Sequence, residues 1–191
     1  STTAKTQNFW GDEVTASPTV GQTVLVSSTT VHDKPVVDTI QNADDGGLTL
    51  NGLGGHDILI GSHAEDILNG GSGDDILFGG RGHDTMTGGT GADTFVFDET
   101  AFQDLNVHDV ITDYKLSEGD MLDVSALLDN LLGRPATSAD VAAMVDTRVV
   151  GGNTFVSVGS GAEVKDIAVL NGVHDVKILF DDKHTATVTH D

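Results

Sequence analysis

The sequence has no cysteine, only three prolines, and one tryptophan and one tyrosine among 191 residues. Without cysteine, neither disulfides nor thiolate zinc sites can stabilise the chain. Basic residues are also scarce, nine against 30 acidic ones, and the formal net charge of −21 opposes binding to nucleic acid or anionic membrane surfaces. No hydrophobic run approaches the length of a membrane span. The composition therefore favours cations as partners.

Catalytic signatures are absent as well. The chain contains no H-E-x-x-H zinc motif, no G-x-S-x-G nucleophile elbow, no cysteine nucleophile and no P-loop. Three of the eight histidines, His56, His63 and His83, fall in glycine-rich turns, where an exposed polar residue is ordinary. Ser160 lies in a predicted glycine-rich hairpin turn. We therefore predict that the chain is not an enzyme and has no catalytic residue.

A repeat of nine residues dominates the middle of the chain. It reads GLGGHDILI, GSHAEDILN, GGSGDDILF, GGRGHDTMT and GGTGADTFV from residue 52 to residue 96, here called copies one to five. One aspartate recurs in fixed phase, at Asp57, Asp66, Asp75, Asp84 and Asp93. The eighth position is always apolar. A flexible linker has no reason to keep an apolar residue in phase, so the pattern indicates a folded repeat.

Each copy reads as a six-residue turn followed by a three-residue strand, matching the G-G-x-G-x-D-x-U-x repeat of calcium-binding β-helices. Glycine permits the positive φ that turns carbonyls towards an ion, and aspartate supplies an anionic oxygen. Calcium accepts such oxygens in flexible geometry, whereas magnesium demands a tighter octahedron and zinc prefers nitrogen and sulfur. Besides the five aspartates, the predicted calcium-site residues are Gly52, Gly54, Gly55, Gly70, Gly71, Gly73, Gly79, Gly80, Gly82, Gly88, Gly89 and Gly91.

Two copies are expected to complete one coil of a solenoid, so that alternate copies stack on the same side. About three or more calcium ions are predicted, between the pairs Asp57/Asp75, Asp66/Asp84 and Asp75/Asp93. Ala64 replaces a turn glycine in copy two, and its Cβ is expected to resist positive φ and weaken the middle site. From residue 44 to residue 98, ten acidic residues accompany one basic residue, so calcium has to supply the free energy of folding.

The two outer faces of the predicted solenoid differ in polarity. Copies one, three and five turn Ile58, Ile60, Ile76, Phe78, Thr94 and Val96 outward. Copies two and four turn Ile67, Asn69, Thr85 and Thr87 outward. Exposed apolar faces usually mark contact surfaces, so a flanking segment is predicted to cover the first face, and a free binding face is the alternative.

The flanking regions differ in kind from the repeats. Residues 1–43 contain two glycines and short β-rich pieces that Pro18 and Pro35 interrupt. Downstream, SALLDNLLGRP predicts a helix from a Ser125 cap to Gly133, TSADVAAMVD predicts a second helix, and NTFVSV, DIAVL, VKILF and TATVT predict strands. The predicted fold is mainly β, a parallel β-roll over 44–97 flanked by a β-rich segment over 1–43 and a small α+β cap over 98–191.

These repeats resemble those of RTX proteins, which Gram-negative bacteria export through type I secretion systems. The resemblance continues after copy five, where DVITDY (109–114) and GDMLDVSALL (119–128) are similar to the D-x-I-x-D-F and G-D-x-I-D-L-S segments of RTX proteases and adhesins. Tyr114 stands where the family usually has phenylalanine. The resemblance implies further candidate calcium ligands at Asp98, Asp109, Asp113, Asp120 and Asp123. For each of them, an ordinary acidic turn residue is the alternative.

The resemblance also implies partners and a location. In the family an uncleaved C-terminal signal is read by the type I secretion apparatus while the chain is unfolded, and the segment after Ser125 has that position. The expected location is outside a Gram-negative bacterium, secreted or on the cell surface. Three functions stay open: the C-terminal region of a large adhesin whose upstream domains bind a surface ligand, the tail of an RTX protease or lipase, and a ligand-binding module itself. The β-like Val/Thr-rich segments before Asp44 favour the adhesin.

Copies three to five keep all their glycines, so calcium is expected to nucleate folding from that end. Replacing Asp84 or Asp93 by alanine should then shift the calcium midpoint of folding to higher concentration more than Asp57→Ala does. Circular dichroism during a calcium titration measures the three midpoints. Equal midpoints would contradict this order.

Overall fold

The computed structural model describes residues 4–7, 13–16, 23–25, 37–42, 47, 49–103 and 108–190. The strands in these ranges are β1 (Ala4–Gln7), β2 (Glu13–Ala16), β3 (Thr23–Leu25), β4 (Val37–Asn42), β5 (Thr49–Asn51), β6 (His56–Ile60), β7 (Ile67–Ser72), β8 (Ile76–Phe78), β9 (Thr85–Thr90), β10 (Thr94–Val96), β11 (Asp109–Ile111), β12 (Met121–Asp123), β13 (Val145–Val150), β14 (Asn153–Ser160), β15 (Glu163–Leu170), β16 (Val176–Leu179) and β17 (Thr185–Val188). The helices are α1 (Ser125–Leu132) and α2 (Ser138–Met144), with 3₁₀ turns at Glu99–Phe102 and Leu116–Glu118.

The described strands form two sheets whose central strands are all parallel. One sheet has the order β17-β16-β12-β10-β8-β6-β4-β1-β2, and the other has the order β13-β14-β15-β11-β9-β7-β5-β3. The chain alternates between the sheets at each repeat, so strands two positions apart become neighbours. The predicted mainly β fold with a parallel roll is therefore the observed one.

The parallel ladders run past the repeats in both directions. β4 pairs in parallel with β6, and β3 pairs in parallel with β5, which joins the N-terminal strands to the roll. After copy five, β12 and then β16 extend one sheet, while β11 and then β15 extend the other. Antiparallel pairs of β1 with β4 and β2, of β14 with β13 and β15, and of β16 with β17 end the sheets.

One apolar side chain per strand fills the narrow interior of the roll. Successive inward residues stand in register about 4.8 Å apart, the spacing of neighbouring strands. The aligned interior residues of the two sheets are Leu59, Leu77, Phe95 and Leu122 in one, and Leu50, Leu68, Met86 and Ile111 in the other. All eight are fully buried. Each side chain thus packs between the coils above and below it.

The C-terminal part widens this core into a cap. α1 buries Leu127 and Leu128 and ends at Gly133, which takes φ 67°, as predicted. Its start differs from the prediction, because Ser125 is already helical and the Asp123 carboxylate accepts the Ser125 N–H at 3.0 Å. None of the helices in the described ranges is long and apolar enough to cross a membrane.

The predicted cover of the apolar outer face is incomplete among the described residues. Ile76, on the face expected to be covered, is 39% exposed, and Ile67 on the opposite face is 47% exposed. The remaining outward side chains of both faces are half-buried. Ile76 is thus left exposed, and cover of the other outward side chains by a flanking segment stays a prediction.

Phe95 is the largest interior side chain of the repeats and contacts the coils on both sides. Phe95→Ala should lower the free energy of unfolding by about 3–5 kcal/mol in calcium-saturated protein, because it leaves a cavity in a one-residue-wide core. The matched control, Ile76→Ala, removes a half-exposed side chain from the same sheet and should cost about 1 kcal/mol or less. Urea unfolding measures both, and equal losses would contradict this packing.

Candidate calcium site

Seven buried aspartates form two rows, one at the start of the strands of each sheet. The odd row contains Asp57, Asp75, Asp93 and Asp120, and the even row contains Asp66, Asp84 and Asp109. None of the seven is more than 7% exposed. The rows therefore unite the five repeat aspartates with two of the later candidates, Asp109 and Asp120.

One hydrogen bond recurs between consecutive members of each row. The backbone N–H of an aspartate donates to Oδ1 of the aspartate one coil further on, at 2.8 Å from Asp57 to Asp75 and at 2.9 Å from Asp75 to Asp93. The same bond joins Asp84 to Asp109 at 2.9 Å and Asp93 to Asp120 at 3.0 Å. The geometry of the repeats is therefore reproduced one coil beyond them.

The second carboxylate oxygen has a different environment. Oδ2 of Asp75, of Asp84 and of Asp93 is buried and has no hydrogen-bond partner among the described residues. A buried carboxylate oxygen without a donor or cation is strongly unfavourable. A divalent cation would satisfy these oxygens, so the observed environment fits the predicted calcium.

The first glycine of each turn makes room for this carboxylate. A Cβ at Gly52 would lie 2.6 Å from Oδ2 of Asp57, and a Cβ at Gly70, Gly79 or Gly88 would overlap Oδ2 of the aspartate five residues later. Each carboxylate thus folds back over the start of its own turn. Any larger residue at this position would displace it.

Backbone carbonyls of one turn lie directly against the glycines of the next turn in the same stack. A Cβ at Gly73 would overlap the carbonyl oxygen of Gly55, and one at Gly91 would overlap that of Gly73. Among the described residues, no group of three or more His, Cys, Asp or Glu side chains could hold a metal ion. Backbone carbonyls and water would therefore have to complete a coordination shell, and calcium accepts both kinds of ligand readily.

The remaining predicted glycines provide the left-handed turn conformations. Positive φ occurs at Gly55, Gly71, Gly73, Gly80, Gly82, Gly89 and Gly91. In copy one, Leu53 takes φ 72°, and Gly54 forms a parallel bridge with Ser72. Ala64 does not adopt positive φ, in line with the expected resistance of its Cβ, and the turn of copy two takes another conformation.

The other three candidate aspartates lie outside the rows. The Asp113 carboxylate accepts the N–H groups of Gly88 at 2.9 Å and Gly89 at 2.8 Å, so it supports the turn of copy five. Asp98 accepts the N–H of Thr100 and caps a 3₁₀ turn. The Asp123 carboxylate accepts the N–H of Ser125, the first residue of α1. For Asp98 and Asp123 the structure favours the local acidic-turn alternative.

Sequence reasoning missed two positions on strands that continue the sheets beyond the repeats. Asp38 in β4 is in register with Asp57, but 19 residues rather than 18 separate them, which hides it from a strict period. The signal that could have found it is an aspartate two residues before an apolar residue, as in Asp38-Thr39-Ile40. Lys165 in β15 has a buried ammonium nitrogen, and its charge lowers the pKa of Asp109.

Burial raises the pKa of five of the row aspartates, and neighbouring carboxylates raise it further. Desolvation and then the charge of Asp109 raise the pKa of Asp84 to about 8. Desolvation raises the pKa of Asp93 and of Asp109 to about 7, against the lowering by their backbone donors. The pKa values of Asp75 and Asp120 are also raised, mainly by burial. The buried carboxylates of the rows are therefore more stable with a bound proton or cation than as unpaired anions.

The match of a family model supports the calcium interpretation. The family model for the RTX calcium-binding nonapeptide repeat (4 copies) matches residues 49–77 and 64–95. A similar solved structure is the AlgE6R3 subunit of the mannuronan C5-epimerase of Azotobacter vinelandii, with 26% identity, 61% of this chain and 70% of that chain covered, and a TM-score of 0.34. No curated protein matches the sequence. The repeats thus form an RTX calcium-binding region.

The raised pKa values predict opposite effects of acid on the two forms of the protein. In calcium-stripped protein, the folded state binds protons more tightly than the unfolded chain, whose aspartates titrate near 3.8. Stability should therefore rise as the pH falls from about 8 to about 4. With bound calcium it should fall, because protons compete for the same oxygens. Far-UV circular dichroism of the stripped protein and urea midpoints of the calcium-bound protein, each at several pH values, test this. Asp84→Asn should weaken the rise.

A stripped protein that loses stability on acidification would contradict the raised pKa values. Asp181→Asn is the matched control, since Asp181 lies in an exposed turn and its pKa is lowered by backbone N–H donors. This variant should leave the rise with acidification in place.

Proposed function

We propose that this chain, which carries an RTX calcium-binding region, is the non-catalytic calcium-dependent folding module near the C-terminal end of a secreted bacterial adhesin. The observation that carries the proposal is the pair of buried aspartate rows with donorless Oδ2 atoms at Asp75, Asp84 and Asp93. Such rows are unfavourable in a protein that is to be stable without cations. They suit a module that folds only where calcium is abundant.

Each part of the chain has a defined task in this scheme. Bound calcium would supply the positive charge that the rows lack. The row aspartates would hold it through Oδ2, while Oδ1 stays committed to the amide of the previous coil. The turn glycines bring carbonyls close, and the interior apolar residues exclude water. Folding and ion binding are then one process.

The calcium requirement favours a location outside the cell. Extracellular calcium modules bind at about 10⁻⁴–10⁻³ M, above cytosolic free calcium. The chain would remain unfolded in the cytosol, as a type I secretion apparatus requires, and fold after export. The partner in the cell is therefore the type I secretion apparatus, which reads the C-terminal segment after Ser125. The final location is the medium or surface of a Gram-negative bacterium.

The adhesin assignment rests on the N-terminal strands. β3 and β4 continue the two parallel sheets, and β1 and β2 add antiparallel strands to one of them. Val/Thr-rich β-segments of this kind suit the extender domains of an adhesin, whose upstream domains would bind a surface ligand. The alternatives are the tail of an RTX enzyme and a ligand-binding module. Upstream sequence distinguishes the first alternative, and glycan or peptide screening with calcium tests the second.

The decisive experiment is a calcium titration of stripped protein followed by far-UV circular dichroism. The β signal should appear cooperatively with calcium and not with magnesium. A chain already fully folded without calcium would overturn the folding role, because the flanking strands would then suffice.

Secretion is tested separately. A passenger protein fused to residues 1–191 should reach the medium of a Gram-negative strain that carries a type I secretion apparatus. The same fusion ending at residue 124 should stay inside the cell. Equal export of both fusions, or export of neither, would contradict the assigned signal.

A further inference from the structure

The turn of copy two differs from the other turns in both sequence and conformation. Ser62 and Ala64 stand at the second and fourth positions, where copies three to five have glycine. Neither residue takes positive φ, unlike Leu53 and Gly55 at the same positions of copy one. Ser62 is nevertheless only 4% exposed and lies beside the carboxylate of Asp66. The side chain is therefore part of the interior of the turn.

Ser62 bonds both oxygens of the aspartate in its own copy. Its Oγ lies 3.1 Å from Oδ1 and 3.0 Å from Oδ2 of Asp66, and its backbone N–H donates to Oδ2. The hydroxyl in turn accepts the N–H of Ala64 at 3.0 Å. This last bond fixes the orientation of the hydroxyl, so the donors converge on one carboxylate.

The intact copies lack these bonds. Gly71, Gly80 and Gly89 occupy the position of Ser62 and have no side chain to offer. In those copies Oδ2 of the aspartate has no hydrogen-bond partner. The donors from Ser62 thus occupy the oxygen that the other copies leave for a cation.

We propose that Ser62 replaces calcium in the turn of copy two, so that the interval between Asp66 and Asp84 is held by hydrogen bonds and binds no ion. This inference rests on the proposed calcium function of the rows. Serine satisfies the carboxylate with neutral donors, and an ion at this turn would have to displace them. Oδ2 of Asp84 stays available for the next interval, towards Asp109. One coil of the roll is therefore independent of calcium.

Ser62→Gly tests the proposal, because it removes the hydroxyl and restores the repeat pattern at this position. The variant should bind one ion more per chain than the parent at saturation. Its folding should also require a higher calcium concentration, because the neutral donors are lost. Ser72→Gly is the matched control, because Ser72 is an exposed serine at the end of β7, in copy three. It should leave the ion count unchanged. Equilibrium dialysis measures the ion count, and circular dichroism during a calcium titration measures the calcium midpoint of folding.

A second variant keeps the test decisive if Ser62→Gly fails to fold at any calcium concentration. Ser62→Ala retains the Cβ and the backbone donor but loses the hydroxyl. It should raise the calcium midpoint of folding while the ion count stays at the parental value. Parental ion counts and parental calcium midpoints in both Ser62 variants would overturn the inference and leave the calcium function standing. A parent that binds no calcium would instead overturn the proposed function.

Discussion

The hydrogen bond from each aspartate N–H to the carboxylate one coil further on is the constraint around which the roll is organised. It fixes the register of neighbouring coils, because the donor and acceptor are both buried at the start of a strand. It also places negative charges in two rows with little water to screen them. The same interaction that aligns the coils therefore creates the need for a cation, and alignment and ion binding cannot be separated.

The repeats have little hydrophobic core to offset the repulsion between the carboxylates of each row. The interior offers one apolar side chain per strand, so hydrophobic burial in the repeats is small compared with a globular core. The larger apolar cluster lies in the cap, where Leu127, Leu128 and Val141 join the line of interior residues. The cap closes the end of the roll with antiparallel strands and two helices. It gives the last coils a stable platform that the repeats themselves lack.

Sequence periodicity predicted the repeat aspartates, the interior residues and the stacking of alternate copies, because each depends on a fixed spacing of nine. It did not show that Asp109 and Asp120 extend the rows, since 25 and 27 residues separate them from their partners. Only the family resemblance suggested them, together with Asp98 and Asp123, which cap local turns instead. Ala64 was expected to resist positive φ, and the turn of copy two does take another conformation, in which Ser62 donates to Asp66.

The sequence by itself determined the repeat, its turn-and-strand alternation and the type of ion, because these are properties of residue type and local spacing. Tertiary structure decided where the rows end, which carboxylates lack donors and how the flanking strands join the sheets. These features depend on contacts between residues far apart in the chain, whose separation varies with loop length. A sequence repeat of fixed length cannot predict such contacts once a loop of different length interrupts it.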